Sequence, residues 1–195
     1  MSYESQGQAV HDPKILRAIA HPVRNRILTE LTASGSMRAA DLARELDIPA
    51  NQASFHLRQL AKYGLVEEDP EAARDKRDRV WRPTSDYGVT INLTDLEKAP
   101  GGKAASTVFR HHAASWGHAV VDEAYADSRD PGILRAVSEN ALKLTKEEAQ
   151  QLASDLDEVV IGWADRTRGR DPERRTYLLF SVLQPYPATA RHEDG

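Results

Sequence analysis

The chain has 195 residues, enough for one or two domains with a real hydrophobic core, and sets 26 Lys and Arg against 30 Asp and Glu, net −4. It has no cysteine, which excludes a disulfide framework, a thiolate metal site and a cysteine nucleophile. No apolar run approaches the ~18 residues of a membrane span and no signal-like apolar stretch opens the chain, so no membrane partner is expected and the cytoplasm is the expected compartment.

Residues 1–10 are polar and aperiodic and read as a loose N-terminal arm. Asp12 and Pro13 form an N-cap and first-turn pair for a helix that turns Ile15, Leu16 and Ile19 inward. His21-Pro22 interrupts it, and Pro22 restarts a second helix with Val23, Ile27, Leu28 and Leu31 as its core stripe, closed by Gly35. A short helix follows from about Met37 to Leu46, then the turn Asp47-Ile48-Pro49. From Ala50 to Tyr63 a further helix places Ala53, Leu57 and Leu60 on one apolar stripe. Two helices joined by a tight turn form a helix-turn-helix. Leu65–Glu68 and Arg79–Arg82 read as a hairpin around a charged loop containing Pro70, a wing beside the helices.

The face of the 50–63 helix opposite the stripe carries Asn51, Gln52, Phe55, Arg58, Gln59 and Lys62, and no acidic residue occurs from Ala50 to Val66. Amides, hydroxyls and bases without acids suit an anionic partner with readable edges, which points to double-stranded DNA. Asn51, Gln52 and Ser54 sit at the end that would enter the major groove, and Phe55 suits a thymine methyl or neighbouring side chains. Net charge does not oppose this reading. Residues 1–90 hold 13 basic and 13 acidic groups, while residues 91–195 hold 13 and 17, so the acidic excess lies elsewhere. In the wing, Arg74, Lys76, Arg77, Arg79 and Arg82 form a basic cluster against Asp75 and Asp78. Arg74, Lys76, Arg77 and Arg79 are candidate DNA contacts, as are Arg24 and Arg38. For Arg24 and Arg26, one is expected at phosphate and the other against the core.

Thr94 to Glu97 offers a capping box for a short helix. A long helix of roughly 37 Å is expected from Lys103 to Asp127. Val108, Phe109, His112, Trp116, Ala119 and Val120 make a stripe too long for a small winged domain to cover, so a second copy is the expected cover. Beyond Pro131-Gly132, a strand at 136–144, a helix opened by the capping box Thr145–Glu148, and a strand at 176–183 make a β-α-β unit. Trp116, Trp163 and Tyr177 are aromatic candidates for core, interface or a small-molecule effector pocket.

Residues 18–28, AIAHPVRNRIL, and the pair SFHLRQL (54–60) with GLV (64–66) resemble the two signatures of ArsR-type winged helix-turn-helix repressors, over about residues 11–85. Asp41–Leu46 fits the intervening helix. The resemblance implies a homodimeric bacterial or archaeal transcription factor reading two half-sites, with His56 near DNA; the other reading of His56 is a partly buried helix histidine. Related metal sensors place an Asp-x-His pair on the dimer helix. Here Arg110 precedes His112 by two and Trp116 precedes His118 by two, so His111, His112, His118 and Asp122 are not expected to hold metal, and no cofactor is expected.

The expected fold is therefore α+β, mainly helical, in five parts: an arm (1–10), a winged helix-turn-helix domain (11–90), a linker and long dimerisation helix (91–130), a β-α-β dimerisation or effector unit (131–187) and a disordered tail (188–195). The expected function is a sequence-specific regulator, a homodimeric repressor open to a small effector. The other reading is a winged-helix protein-interaction module. An enzyme is not expected, since no glycine-rich nucleotide loop follows a strand.

Overall fold

A computed structural model of the chain describes residues 7–74, 79–127, 130, 132–169, 171 and 173–186. The elements run β1 (Gln8–Val10), α1 (Pro13–Ile19), α2 (Pro22–Ser34), β2 (Met37–Arg38), α3 (Ala39–Glu45), α4 (Ala50–Lys62), β3 (Val66–Glu68), β4 (Val80–Pro83), β5 (Val89–Ile91), α5 (Leu93–Leu96), α6 (Gly102–Ala124) and α7 (Lys146–Thr167). The fold is α+β and mainly helical, with a winged helix-turn-helix at its N-terminal end.

Local chemistry sets most of the helix boundaries. Asp12 accepts the Lys14 N–H at 2.8 Å and Pro13 opens α1. Pro22 opens α2, and Gly35, at φ 78°, ends it. Leu16, Ile27, Leu31, Leu42, Leu57 and Leu60 bury fully where α1 to α4 converge. Each such side chain stabilises the fold by about 1.5–3 kcal/mol over its exposed state. The α4 helix gives way to Gly64, whose φ of 66° turns the chain into Leu65 and β3. Trp81 lies buried in β4, the centre of an antiparallel sheet ordered β2-β4-β3, opposite Met37 on one side and Glu68 on the other.

Four expectations need correction. Met37–Arg38 is a strand against β4, not the first turn of α3. The expected arm is ordered at its end: β1 pairs in parallel with β5, Gln8 opposite Val89, and Val10 is buried. Helix α5 is capped by Asn92, which accepts the Asp95 N–H at 3.2 Å, rather than by a box at Thr94. Segments 136–144 and 176–183 form no ladder with each other or with other described residues, so no closed β-α-β unit forms among the described residues; the helix between them does form, with the Thr145–Glu148 capping box in place. The expected tail 188–195 lies outside the described residues.

Helix α6 starts inside the winged domain and leaves it. Its first turns pack on α1 and α5, burying Ala105 and Ser106. A Cβ at Gly102 would overlap the Leu96 carbonyl oxygen, so only glycine admits this approach. From residue 110 onward most of the helix surface is exposed.

Candidate nucleic-acid interface

The amphipathic pattern of α4 divides the helix cleanly. Ala53, Leu57 and Leu60 lie in the core, whereas Asn51, Gln52, Phe55, Arg58 and Lys62 are exposed and Ser54 and Gln59 are half-buried. Phe55 is 50% exposed, an aromatic ring set among amides and bases. Asn51 accepts the Gln52 N–H at 3.0 Å. The N-cap, Pro49, has no side-chain acceptor, and the first turn holds no acid, so the partial positive charge of the helix N-terminus is uncompensated by carboxylates. Shape and electrostatics thus make a surface for phosphates and base edges.

His56 belongs to the other side. It is buried, its ring centroid 4.6 Å from that of His21 at the start of α2 and 5.2 Å from Phe55. Of its two sequence readings the buried one holds, so it is not part of the exposed face. Burial, reinforced by His21 and Arg24, pushes the His56 imidazole below its usual range. Burial, with Arg24 and His112, does the same to His21, against a backbone hydrogen bond that raises it. The Nδ1 atoms of both rings lack a hydrogen-bond partner. Both shifts favour the neutral imidazole, and the pair packs behind Phe55.

Both candidate arginines on α2 hold helices together. Arg24 donates to the Arg17 carbonyl at 3.0 Å and Arg26 to the Leu46 carbonyl at 2.9 Å. Arg38 is half-buried at the N-cap of α3. In the wing, Arg79 lies 3.7 Å from Glu68, and Arg82 pairs with Glu67 at 2.8 Å, both across the β3–β4 ladder. Arg74 is exposed; Lys76 and Arg77 lie outside the described residues. The base of the wing holds a residue that sequence reasoning missed. Asp69 is buried and accepts from the Ser36 hydroxyl and from the Glu71 and Ala72 N–H groups. These bonds, the Ser36 hydroxyl first, hold its carboxyl below the usual range. Asp-Pro after a strand was the available sign.

The α6 stripe lies as the sequence spacing places it. Val108, His112, Trp116 and Ala119 are exposed, and Phe109 and Val120 are half-buried, Phe109 packing on the core. Between α1, α2, β5 and α6 lies an open cavity of about 420 Å³, mostly apolar, lined by Ile19, Val89, Phe109, Trp116 and Phe180 with Asn25, Arg26, His112 and Ser115 as polar points. Trp116 is therefore a cavity residue; Trp163, exposed under Arg166, and Tyr177, whose hydroxyl accepts the Leu134 N–H, are not. Among the described residues no group of three His, Asp or Glu is placed to hold a metal ion, and no helix is long and apolar enough to cross a membrane.

Helices α2 to α4 and the β-hairpin define a winged helix-turn-helix protein. Residues 19–69 match the family model described as a helix-turn-helix domain. No curated protein matches the chain. Solved structures with partial similarity include an apo double mutant of ZitR from Lactococcus lactis (14% identity, 77% of this chain and 88% of that one, TM-score 0.30). The transcriptional regulator Tm0710 from Thermotoga maritima matches at 14% identity over 80% and 85%, TM-score 0.30. NMB1585, a MarR family regulator from Neisseria meningitidis, matches at 17% over 80% and 84%, TM-score 0.32.

Proposed function

We propose that the protein is a sequence-specific, double-stranded DNA-binding transcriptional regulator of ArsR type, acting in the cytoplasm as a homodimeric repressor at an inverted repeat. One observation carries this reading: the exposed face of α4 offers amides, a hydroxyl, an aromatic ring and bases, with no acid, at an uncompensated helix N-terminus.

Asn51 and Gln52 would read base edges from the first turn, Phe55 would meet thymine methyls, and Ser54, Arg58 and Lys62 would take phosphates or neighbouring bases. Arg74, Lys76 and Arg77 would bring the wing to the adjacent backbone or minor groove. Arg24 and Arg38 would support this surface from α2 and from β2 at the head of α3. The exposed α6 stripe would pair the two copies and set their half-site spacing. Occupancy of the operator would block transcription sterically. The cavity beside Trp116, walled by helices of the DNA-binding domain and by α6, is the place for a small apolar effector, because filling it would alter how α1 and α2 sit on the dimer helix.

Selection of bound fragments from a genomic library, followed by gel shifts of the winners, tests the reading. A palindromic consensus bound by two chains supports it. Absent or salt-independent binding sinks it and leaves the winged domain as a protein-interaction module.

A further inference from the structure

On either side of α7, residues 136–144 and 176–183 run without turn or bend, and no backbone–backbone hydrogen bond joins either run to another described segment. The second run is nonetheless fixed in place. Thr176 donates to the buried Glu30 carboxylate at 3.0 and 3.2 Å, and Phe180 lies against Gly117 of α6, where a Cβ would come within 3.2 Å of the ring. Thr176 and Phe180 share one face of the straight run and Tyr177, Leu179 and Leu183 the other, and the apolar side chains of both faces stay exposed. A residue run as apolar as 177–183, with open backbone edges and an uncovered face, is a strand awaiting a sheet.

Helix α7 has the same deficit. Its 22 residues bury no side chain, although Leu156, Val159, Val160 and Trp163 form a stripe. The whole chain exposes 14457 Å², where a compact monomer of 21.7 kDa exposes about 9,200 Å². Even with the 24 residues outside the described set fully exposed, more than about 2,000 Å² of excess remains. A standard interface takes ~800 Å² from each partner.

The charge pattern favours one occupant for this surface. Residues 147–158 carry five acids and no base, and residues 166–175 carry five arginines against Asp171 and Glu173. Helix α7 ends at Thr167, so the basic stretch lies at and just beyond its C-terminus, with Arg168 held by Asp86 and Arg174 by Asp171. Two α7 helices antiparallel about a two-fold axis set the acidic N-terminal half of each near the basic stretch of the other. We propose that segments 136–144, 146–167 and 176–183 form a strand-helix-strand arm whose sheet is completed only by the arm of a second copy of this chain. The inference rests on the homodimer of the proposed function and is independent of DNA reading.

The test is hydrogen exchange on the full chain over a dilution series, with mass measured by light scattering, for the native protein and for Leu179→Asp. Leu179 is 71% exposed in the single chain, so the substitution leaves the winged domain folded. The expected result is a dimer whose amides in 137–143 and 177–183 exchange on the order of 100-fold slower than open chain, with dimer and protection lost together in Leu179→Asp. A dimer whose arm amides exchange at open-chain rates overturns the arm and leaves the homodimer standing. A monomer at every concentration overturns both, and a Leu179→Asp variant that stays dimeric and protected overturns the arm.

Discussion

His21 and His56 sit back to back under the exposed face of α4, and their depressed pKa values tie that face to pH. A histidine held below its usual range in the fold is bound by fewer protons than in the unfolded chain. Its stability contribution is complete above about pH 6.5 and shrinks as pH falls from there toward the lowered folded value. The charged groups facing the pair, Arg24 for both and His112 for His21, act in the same direction. Urea unfolding between neutral and mildly acidic pH should therefore show falling stability, and His56→Leu should flatten the slope; a slope equal to that of the native chain would refute the assignment. On the exposed side, Gln52→Ala should cost about 1–3 kcal/mol of discrimination at one base pair per half-site, whereas Lys62→Ala should weaken all sequences alike and reduce the salt slope by about 1 per half-site. Competition binding separates the two. The exposed face of α4 could be read from helical period alone, but the orientation of His56 could not, because what buries it is His21, far off in sequence. Asp69 and Glu30 were illegible for a related reason: a carboxylate in a sequence signals surface until its partners are seen.

At the scale of elements, contacts between neighbours in the chain were the legible ones. Asp12-Pro13, Pro22, Gly35 and Thr145–Glu148 announce helix ends through local hydrogen bonds and backbone angles. The elements that escaped are held by distant partners. Strand β2 is two residues long and exists because Trp81 lies opposite, and β1 exists because β5 does, some 80 residues on. Two joints are exposed to single substitutions. Gly102→Ala should push α6 off the Leu96 carbonyl and cost about 3 kcal/mol or more, seen as a lowered melting temperature. Asp69→Ala strips three donors of their acceptor at the root of the wing and should cost about 1–3 kcal/mol. Because the Asp69 pKa is lowered in the fold, this stabilisation is full above the ordinary carboxylate range and is lost as pH falls through the lowered value. A native-like unfolding curve for either variant would contradict the packing described.

For the molecule as a whole, the winged domain and the C-terminal half obey different rules. The first closes its own core, and sequence patterns placed its helices and its hairpin. The second exposes apolar residues from α6 through residue 186, and its segments 136–144 and 176–183 carry strand-like sequences without strand partners among the described residues. A single sequence read for one copy shows such segments as strands, since alternation and β-branching are local, but it cannot show that their hydrogen bonds lie elsewhere. The proposed dimer would account for both halves, bringing two α4 faces to one side of a duplex. The most direct measurement is fluorescence anisotropy of the full chain on a selected palindromic duplex and on a scrambled one, across a salt series. Expected are tighter binding to the palindrome, a loss of roughly 10³ in affinity between 50 and 200 mM salt, and erosion of the preference by Gln52→Ala. Equal affinity for both duplexes, or a preference that survives Gln52→Ala together with Asn51→Ala, would contradict the claim that α4 reads the sequence.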